Sequence, residues 1–187
     1  DYPEEFFKER IHNIRRSRPD DFEIKQAVEI IKKSKNPIII SGGGVFYSDA
    51  MEELSSFSMK HNIPVTQTVM GYSSMKRDHS HFLGPIGGLG GKAANNLAKQ
   101  TDLAIAVGTK LADFTTGSWA NFENPNFRLV SINVSRFDAN KHMASSIIGD
   151  AKVSLKELSN ALGAWKAGDE WYKKSRDELK SWNDYVD

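Results

Sequence analysis

Helical segments alternating with short, unbroken apolar runs predict a three-layer α/β fold, a parallel sheet of five to six strands with helices on both faces. Three stretches carry that prediction. Pro37-Ile38-Ile39-Ile40 has no polar alternation and runs into Ser41-Gly42-Gly43-Gly44; Leu103-Ala104-Ile105-Ala106-Val107 ends in Gly108 in the same way; Arg128 to Val134 reads RLVSINV. A strand buried on both faces takes this form, and glycines at its carboxyl end suit a tight turn into a helix. In such sheets ligands bind outside the carboxyl ends of the strands, so these turns are the first place to look for a site.

The remaining elements follow from periodicity and caps. Asp1 to Arg16 mixes Phe6, Phe7, Ile11 and Ile14 with many charges, and Ser17-Arg18-Pro19-Asp20 reads as a linker. Asp20 or Asp21 is placed to cap a helix from Phe22 to Lys33, whose apolar stripe includes Ile24, Ala27, Val28 and Ile31. Asp49 to His61 and Lys92 to Lys99 have helical spacing, as does the stretch from Val153 to Leu162. Ile63 to Val69 and Ser146 to Gly149 are the other two strands, and a sixth is expected if part of Tyr72 to Leu83 pairs. The tail from Trp165 to Asp187 carries Trp171, Leu179, Trp182 and Tyr185 at roughly helical spacing. So many apolar residues on a terminal helix predict docking, here on a neighbouring domain or subunit, with return to this domain's own core as the other option.

Composition excludes several functions. The 25 basic and 24 acidic residues leave a net charge of +1, which removes the electrostatic argument for nucleic acid or an anionic membrane. With no cysteine there are no disulfides, thiolate metal sites or cysteine nucleophiles, in keeping with a cytoplasmic protein. No apolar run approaches the ~20 residues that cross a bilayer. The length of 187 residues suits one domain with extensions, and the start at Asp1 suggests a fragment of a longer polypeptide.

The glycine motifs read two ways. Gly42, Gly43 and Gly44 have the placement to offer backbone N–H groups to a phosphate, but Tyr47 stands where the third glycine of G-x-G-x-x-G belongs, and a tight turn alone explains them as well. Gly88, Gly90 and Ala93 match G-x-G-x-x-A after a loop rather than a buried strand, and Gly91-Lys92 lacks the rest of a P-loop. His79 and His81 would share a face if extended, yet no third ligand follows at metal-site spacing, so a surface loop is expected. Ser41, Ser48 and Ser118 lie near glycine turns without a G-x-S-x-G elbow. Lys110, Asp113, Thr115 and Thr116 follow the strand ending at Val107, where ligand contact and ordinary loop capping are both open.

PIIISGGGVFYSDA, NIPVTQTVMG, GPIGG, DLAIAVGTKLADFTTGSW, RLVSINVSRFDANKH and IIGDAKVSLKEL occur in the order seen in one family. From Pro19 to Gly163 the chain resembles the central domain of thiamine-diphosphate-dependent enzymes, a group that includes acetohydroxyacid synthase. PEEFFKERIHNIRR and ADFTTGSWANF narrow the resemblance to hydrolases that open a cyclic dione in inositol catabolism. It implies a Rossmann-like sheet of the DHS-like NAD/FAD-binding type, with residues 1–18 an interdomain segment, 19–164 the central domain and 165–187 a connecting helix toward a missing domain. It further implies a homo-oligomer in which thiamine diphosphate and Mg²⁺ bind to flanking pyrimidine and pyrophosphate domains, so that this chain carries no catalytic residue and no metal ligand. Some relatives bind FAD or ADP on this domain. Gly42, Gly43, Gly44 and Asp150 match two parts of that site, but Asn133 and Ser135 stand where those relatives have carboxylates. An amide replaces only part of a carboxylate's bonding, which makes FAD or ADP an unexpected ligand and the site a vestigial one. The competing readings are an acetohydroxyacid-synthase-like central domain, an autonomous adenine-nucleotide module and a metabolite site at the sheet edge.

Overall fold

The computed structural model describes residues 1–186. Six parallel strands form one sheet in the order β3-β2-β1-β4-β5-β6: β1 (Pro37–Ser41), β2 (Val65–Gln67), β3 (Phe82–Pro85), β4 (Leu103–Val107), β5 (Arg128–Asn133) and β6 (Ser145–Ile148). The helices are α1 (Asp21–Lys33), α2 (Gly43–Tyr47), α3 (Met51–His61), α4 (Lys92–Gln100), α5 (Asp113–Thr116), α6 (Arg136–Ala139), α7 (Ala151–Leu162) and α8 (Asp169–Val186). The sixth strand is the short edge strand β3, which begins at the last two residues of the stretch expected to supply it.

The isoleucine run works as a two-sided strand. Ile39 faces one core layer with Ile105, Val130 and Ile132, covered by Ile31 of α1, Leu54 and Phe57 of α3, and Leu155 and Leu158 of α7. Ile38 and Ile40 face the other layer with Ala104 and Ala106, covered by Ala94, Leu97 and Ala98 of α4. The alanines on both surfaces let α4 approach the sheet closely, which a bulkier pair would prevent.

Caps set the helix starts. Asp20 accepts from Phe22 N at 2.8 Å and Glu23 reaches back to Asp20 N, a reciprocal capping box that resolves the choice between Asp20 and Asp21. Glu23 also accepts from Ile148 N at 2.9 Å, tying α1 to the end of β6.

The C-terminal helix corrects one expectation. It packs along α4 and β3 of its own domain: Trp171 is 5% exposed and its indole N–H donates to Pro37 O at 2.8 Å, and Leu179 and Trp182 extend the same contact. Arg176 donates to Phe82 O and Tyr172 to Ser80 O. The apolar stripe therefore closes the open face beside β3, and only the far end, with Tyr185 and Val186, is exposed. The N-terminal segment is exposed up to Arg18, with a Tyr2–Phe6–Phe7 ring cluster, and is anchored by Arg16, which donates to Ser48 O and pairs with Asp150 at 2.9 Å. No helix among the described residues is long and apolar enough to cross a membrane.

The His79/His81 segment is also less superficial than a surface loop. His81 is 8% exposed, with Asn62 Oδ1 at 3.2 Å from Nε2, Ser80 Oγ at 3.0 Å from Nδ1 and the Tyr172 ring 4.5 Å away. His79 Nδ1 accepts from His81 N, which leaves Nε2 to meet Ser55 Oγ at 2.9 Å. Each imidazole is held by neighbours within the fold, and among the described residues no three His, Asp or Glu side chains stand together as metal ligands.

Burial, reinforced by the nearby charges of His79 and Arg176, pushes the His81 imidazole down to about 4. Its folded value lies below the unfolded one, so the unfolded chain binds the extra proton between about pH 6.5 and 4, and stability falls as pH drops through that window. The expected loss is about 2 kcal/mol, somewhat below the full ~1.4 kcal/mol per unit because part of the ring reaches solvent. Urea midpoints between pH 7.5 and 4.5 measure it; His81→Gln flattens this part of the profile, and a profile as steep as the native one refutes the assignment.

Candidate functional site

The strand order places the topological switch between β1 and β4, where the chain leaves toward opposite faces. A crevice of about 390 Å³ opens there, lined by Gly43, Gly44 and Tyr47 after β1, Thr68 to Met70 after β2, Gly108 to Lys110 after β4, Phe114 and Thr115 of α5, Asn133 at the end of β5 and Asp138 of α6. It lies where the sequence directs the search.

Within it the glycines have packing roles. Gly42 N donates to Val107 O at 2.8 Å and Gly44 N to Gly108 O at 2.9 Å, so two of the three backbone donors that a phosphate would need already serve the β1–β4 junction. A Cβ on Gly42 would stand 2.4 Å from Gly108 O, and one on Gly44 2.6 Å from Gly108 Cα. Gly108 itself holds φ +61°, which glycine adopts without strain. Gly43 is the least confined, with Met70 O 3.0 Å from its notional Cβ.

The polar candidates divide. Asn133 Nδ2 donates to Thr109 O at 3.3 Å and its Oδ1 accepts from Ser135 N at 3.0 Å, so its amide is engaged on both sides. Asp150 does not line the crevice. Its Oδ1 caps α7 by accepting from Lys152 N and Val153 N, and its Oδ2 takes Arg16. Of the group after β4, Lys110 and Thr115 line the crevice, Thr116 is buried with its hydroxyl accepting from Trp119 N, and Asp113 begins α5 in solvent. Asp138, unmarked in the sequence, reaches the crevice but pairs with Lys141 at 2.7 Å, and that bond holds its carboxyl below the usual range. Ser41 is buried, bonded to Thr66 O and Ser74 Oγ, with no base beside it; Ser48 ends α2, and Ser118 is exposed.

The crevice does not suit a diphosphate with its divalent ion. Among the described residues its cation without an ion pair is Lys110, its carboxylate is paired with Lys141, and its walls include side chains such as Tyr47, Met70, Ile86 and Phe114. The apolar character continues outward: Phe46, Tyr47, Met70, Tyr72, Leu89, Phe114 and Phe137, on the connections leaving the carboxyl ends of β1, β2, β3, β4 and β5, are each more than half exposed. Seven large apolar side chains thus stand exposed on the edge where ligands of such sheets bind.

A parallel sheet covered by helices on both faces, with glycine turns at its carboxyl edge, is also what the comparisons with known proteins show. Residues 24–158 match the family model for the central domain of thiamine pyrophosphate enzymes, and the chain belongs to that family. It is 48% identical over 164 residues to 3D-(3,5/4)-trihydroxycyclohexane-1,2-dione hydrolase of Clostridium perfringens (strain 13 / Type A), covering 88% of this chain and 26% of the relative. The protein so named in Clostridium tetani is 48% identical over 162 residues, covering 87% of this chain and 25% of the relative. The form numbered 1 in a strain of Bacillus cereus is 44% identical over 162 residues, with the same shares. The chain thus spans about a quarter of the length of the curated relatives it matches.

Proposed function

We propose that this chain is the structural and assembly domain of a thiamine-diphosphate-dependent hydrolase that opens the ring of trihydroxycyclohexane-1,2-dione in inositol catabolism. In this reading thiamine diphosphate and Mg²⁺ bind to flanking pyrimidine and pyrophosphate domains of a cytoplasmic homo-oligomer. The cofactor supplies an electron sink for cleavage next to a carbonyl carbon, and this chain provides no step of that chemistry. Residues 1–18 form the interdomain segment, residues 19–164 the central domain, and the helix within 165–187 leads to the next domain after packing on this one through Trp171. The nucleotide site at Gly42, Gly43, Gly44 and Asp150 is vestigial. The engagement of Gly42 N, Gly44 N and both Asp150 oxygens by the fold itself supports that part.

The observation that carries the assembly role is the exposed apolar rim on the carboxyl edge, with Met70 and Phe114 each 73% exposed. Residues of this kind are buried when a partner surface covers them. In the complete polypeptide, Met70→Ser combined with Phe114→Ser is expected to shift the enzyme toward smaller species in sedimentation and to lower ring opening by about tenfold or more. The unfolding free energy of the 187-residue chain should stay within ~0.5 kcal/mol of the native value, since neither side chain is in the core. Unchanged assembly and activity overturn the role assigned to the rim.

A further inference from the structure

A larger cavity lies at the amino-terminal ends of β5 and β6, away from the carboxyl edge where ligands of such sheets are expected. Its volume is about 800 Å³, within the ~300–1,000 Å³ of small-molecule sites. Ile30 of α1 and Leu129 of β5 give it an apolar lining, and an aromatic wall stands beside them, with the Trp119 ring 4.5 Å from His142 and 6.5 Å from Phe127.

Two loops far apart in sequence build this wall, and both hold unusual backbone. Ser118, Trp119, His142 and Met143 have φ of +52°, +70°, +60° and +55°. Left-handed conformations are uncommon outside glycine, and they persist where the surrounding structure over-determines them, often at binding sites.

The rim supplies the charge. Lys33 and Arg128 line the cavity and, among the described residues, neither makes an ion pair or a side-chain hydrogen bond. Both also border a smaller cleft whose carboxylate, Asp102, already accepts from Ser34 Oγ, Lys35 N and Asn36 N. Glu29, four residues before Lys33 on α1, lines the cavity as a single negative charge.

We infer that this cavity binds a flat monocarboxylate, its conjugated or aromatic ring against Trp119 and its carboxylate on Arg128 and Lys33. The planar guanidinium matches a carboxylate by two parallel hydrogen bonds, and the ring gains contact that an aliphatic acid lacks. Glu29 selects against polyphosphates by like-charge repulsion. This site is independent of the assembly role assigned to the carboxyl rim.

The test titrates the 187-residue chain with 1-naphthoate, with neutral 1-naphthamide and with ADP, following the indole N–H resonance of Trp119. Saturable 1-naphthoate binding is expected, about tenfold or more tighter than 1-naphthamide and ADP, and weakened about tenfold by Arg128→Gln and less by Lys33→Gln. Both substituted side chains are exposed, so the variants keep the fold. Trp119→Leu should abolish binding, and the charge variants keep the inference falsifiable if that variant unfolds. Equal binding of the amide and the acid overturns the inference, as does binding indifferent to Arg128 and Lys33, a preference for ADP, or no saturable binding of 1-naphthoate.

Discussion

Gly42→Ala is expected to lower the stability of this domain by about 3 kcal/mol or more, a large effect for one methyl group. The backbone at Gly42, with φ −112° and ψ −175°, is open to any residue, so the effect comes from space alone. The added Cβ would sit 2.4 Å from Gly108 O and 2.5 Å from Thr109 Cβ. The first neighbour is main chain held by the β1–β4 ladder and by the bond from Gly44 N, so relief requires moving β4 away from β1 at the centre of the sheet. Gly43→Ala serves as the contrast. Its nearest obstacle is Met70 O at 3.0 Å, and alanine favours the helix that begins there, so the change should stay within ~1 kcal/mol. Urea unfolding of the two variants separates a turn built for close packing from one built for phosphate. Calorimetric titration of the native chain with ADP should then give no saturable heat. A tolerated Gly42→Ala, or tight ADP binding lost in Gly43→Val, would sink the vestigial reading.

Trp171→Ala carries the second large effect, about 3–5 kcal/mol. The indole is nearly enclosed against the face of the sheet that α4 covers, and its loss leaves a cavity and removes the donor to Pro37 O. An unmet buried carbonyl adds to the penalty of the void. Trp182→Ala should cost about half as much or less, because that ring is half-buried and meets Gly91 at the end of the same helix. Denaturation midpoints give both values, and limited proteolysis reports whether α8 is released before the sheet opens. If Trp171→Ala changes stability by less than ~1 kcal/mol, the helix is not a structural part of this domain and its docking belongs elsewhere.

Local chemistry made some elements readable and left others hidden. Pro37 to Ile40 and Leu103 to Val107 were readable because a strand buried on both faces has nowhere to place a polar side chain. The start of α1 was readable because Asp20 and Glu23 form a cap within a single turn of chain. β3 was less so: a short stretch containing Gly84 and Pro85 carries little strand signal, and pairing with β2 through a register shift, not propensity, makes it a strand. His81 read as a loop residue, since no local pattern shows that Tyr172 of α8 lies across its ring.

The candidate site divides along the same line. The sequence places the glycine turn at the carboxyl end of β1, but a phosphate loop and a tight packing turn both require the absence of Cβ, and only the distances to Gly108 tell them apart. Asp150 matches a nucleotide-binding pattern and sits one residue before a helix in either case, so a cap alone does not separate the two, and its pair with Arg16, 134 residues away in the chain, could not be read in advance. The cavity walled by Trp119 and His142 had no sequence signature, because it joins residues distant in the chain, from α1 to the loop before β6.

By itself the sequence determined the layered α/β class and the order of the elements, because apolar periodicity, caps and glycine turns act over a few residues and leave their mark there; the family followed instead from the resemblance of its ordered motifs. Only the tertiary structure decided that the C-terminal helix closes on its own domain, that the glycines hold β1 against β4, and that Tyr47, Met70, Leu89, Phe114 and Phe137 share one exposed edge. Those outcomes depend on which distant surfaces meet at van der Waals distance, and no single stretch of chain encodes that.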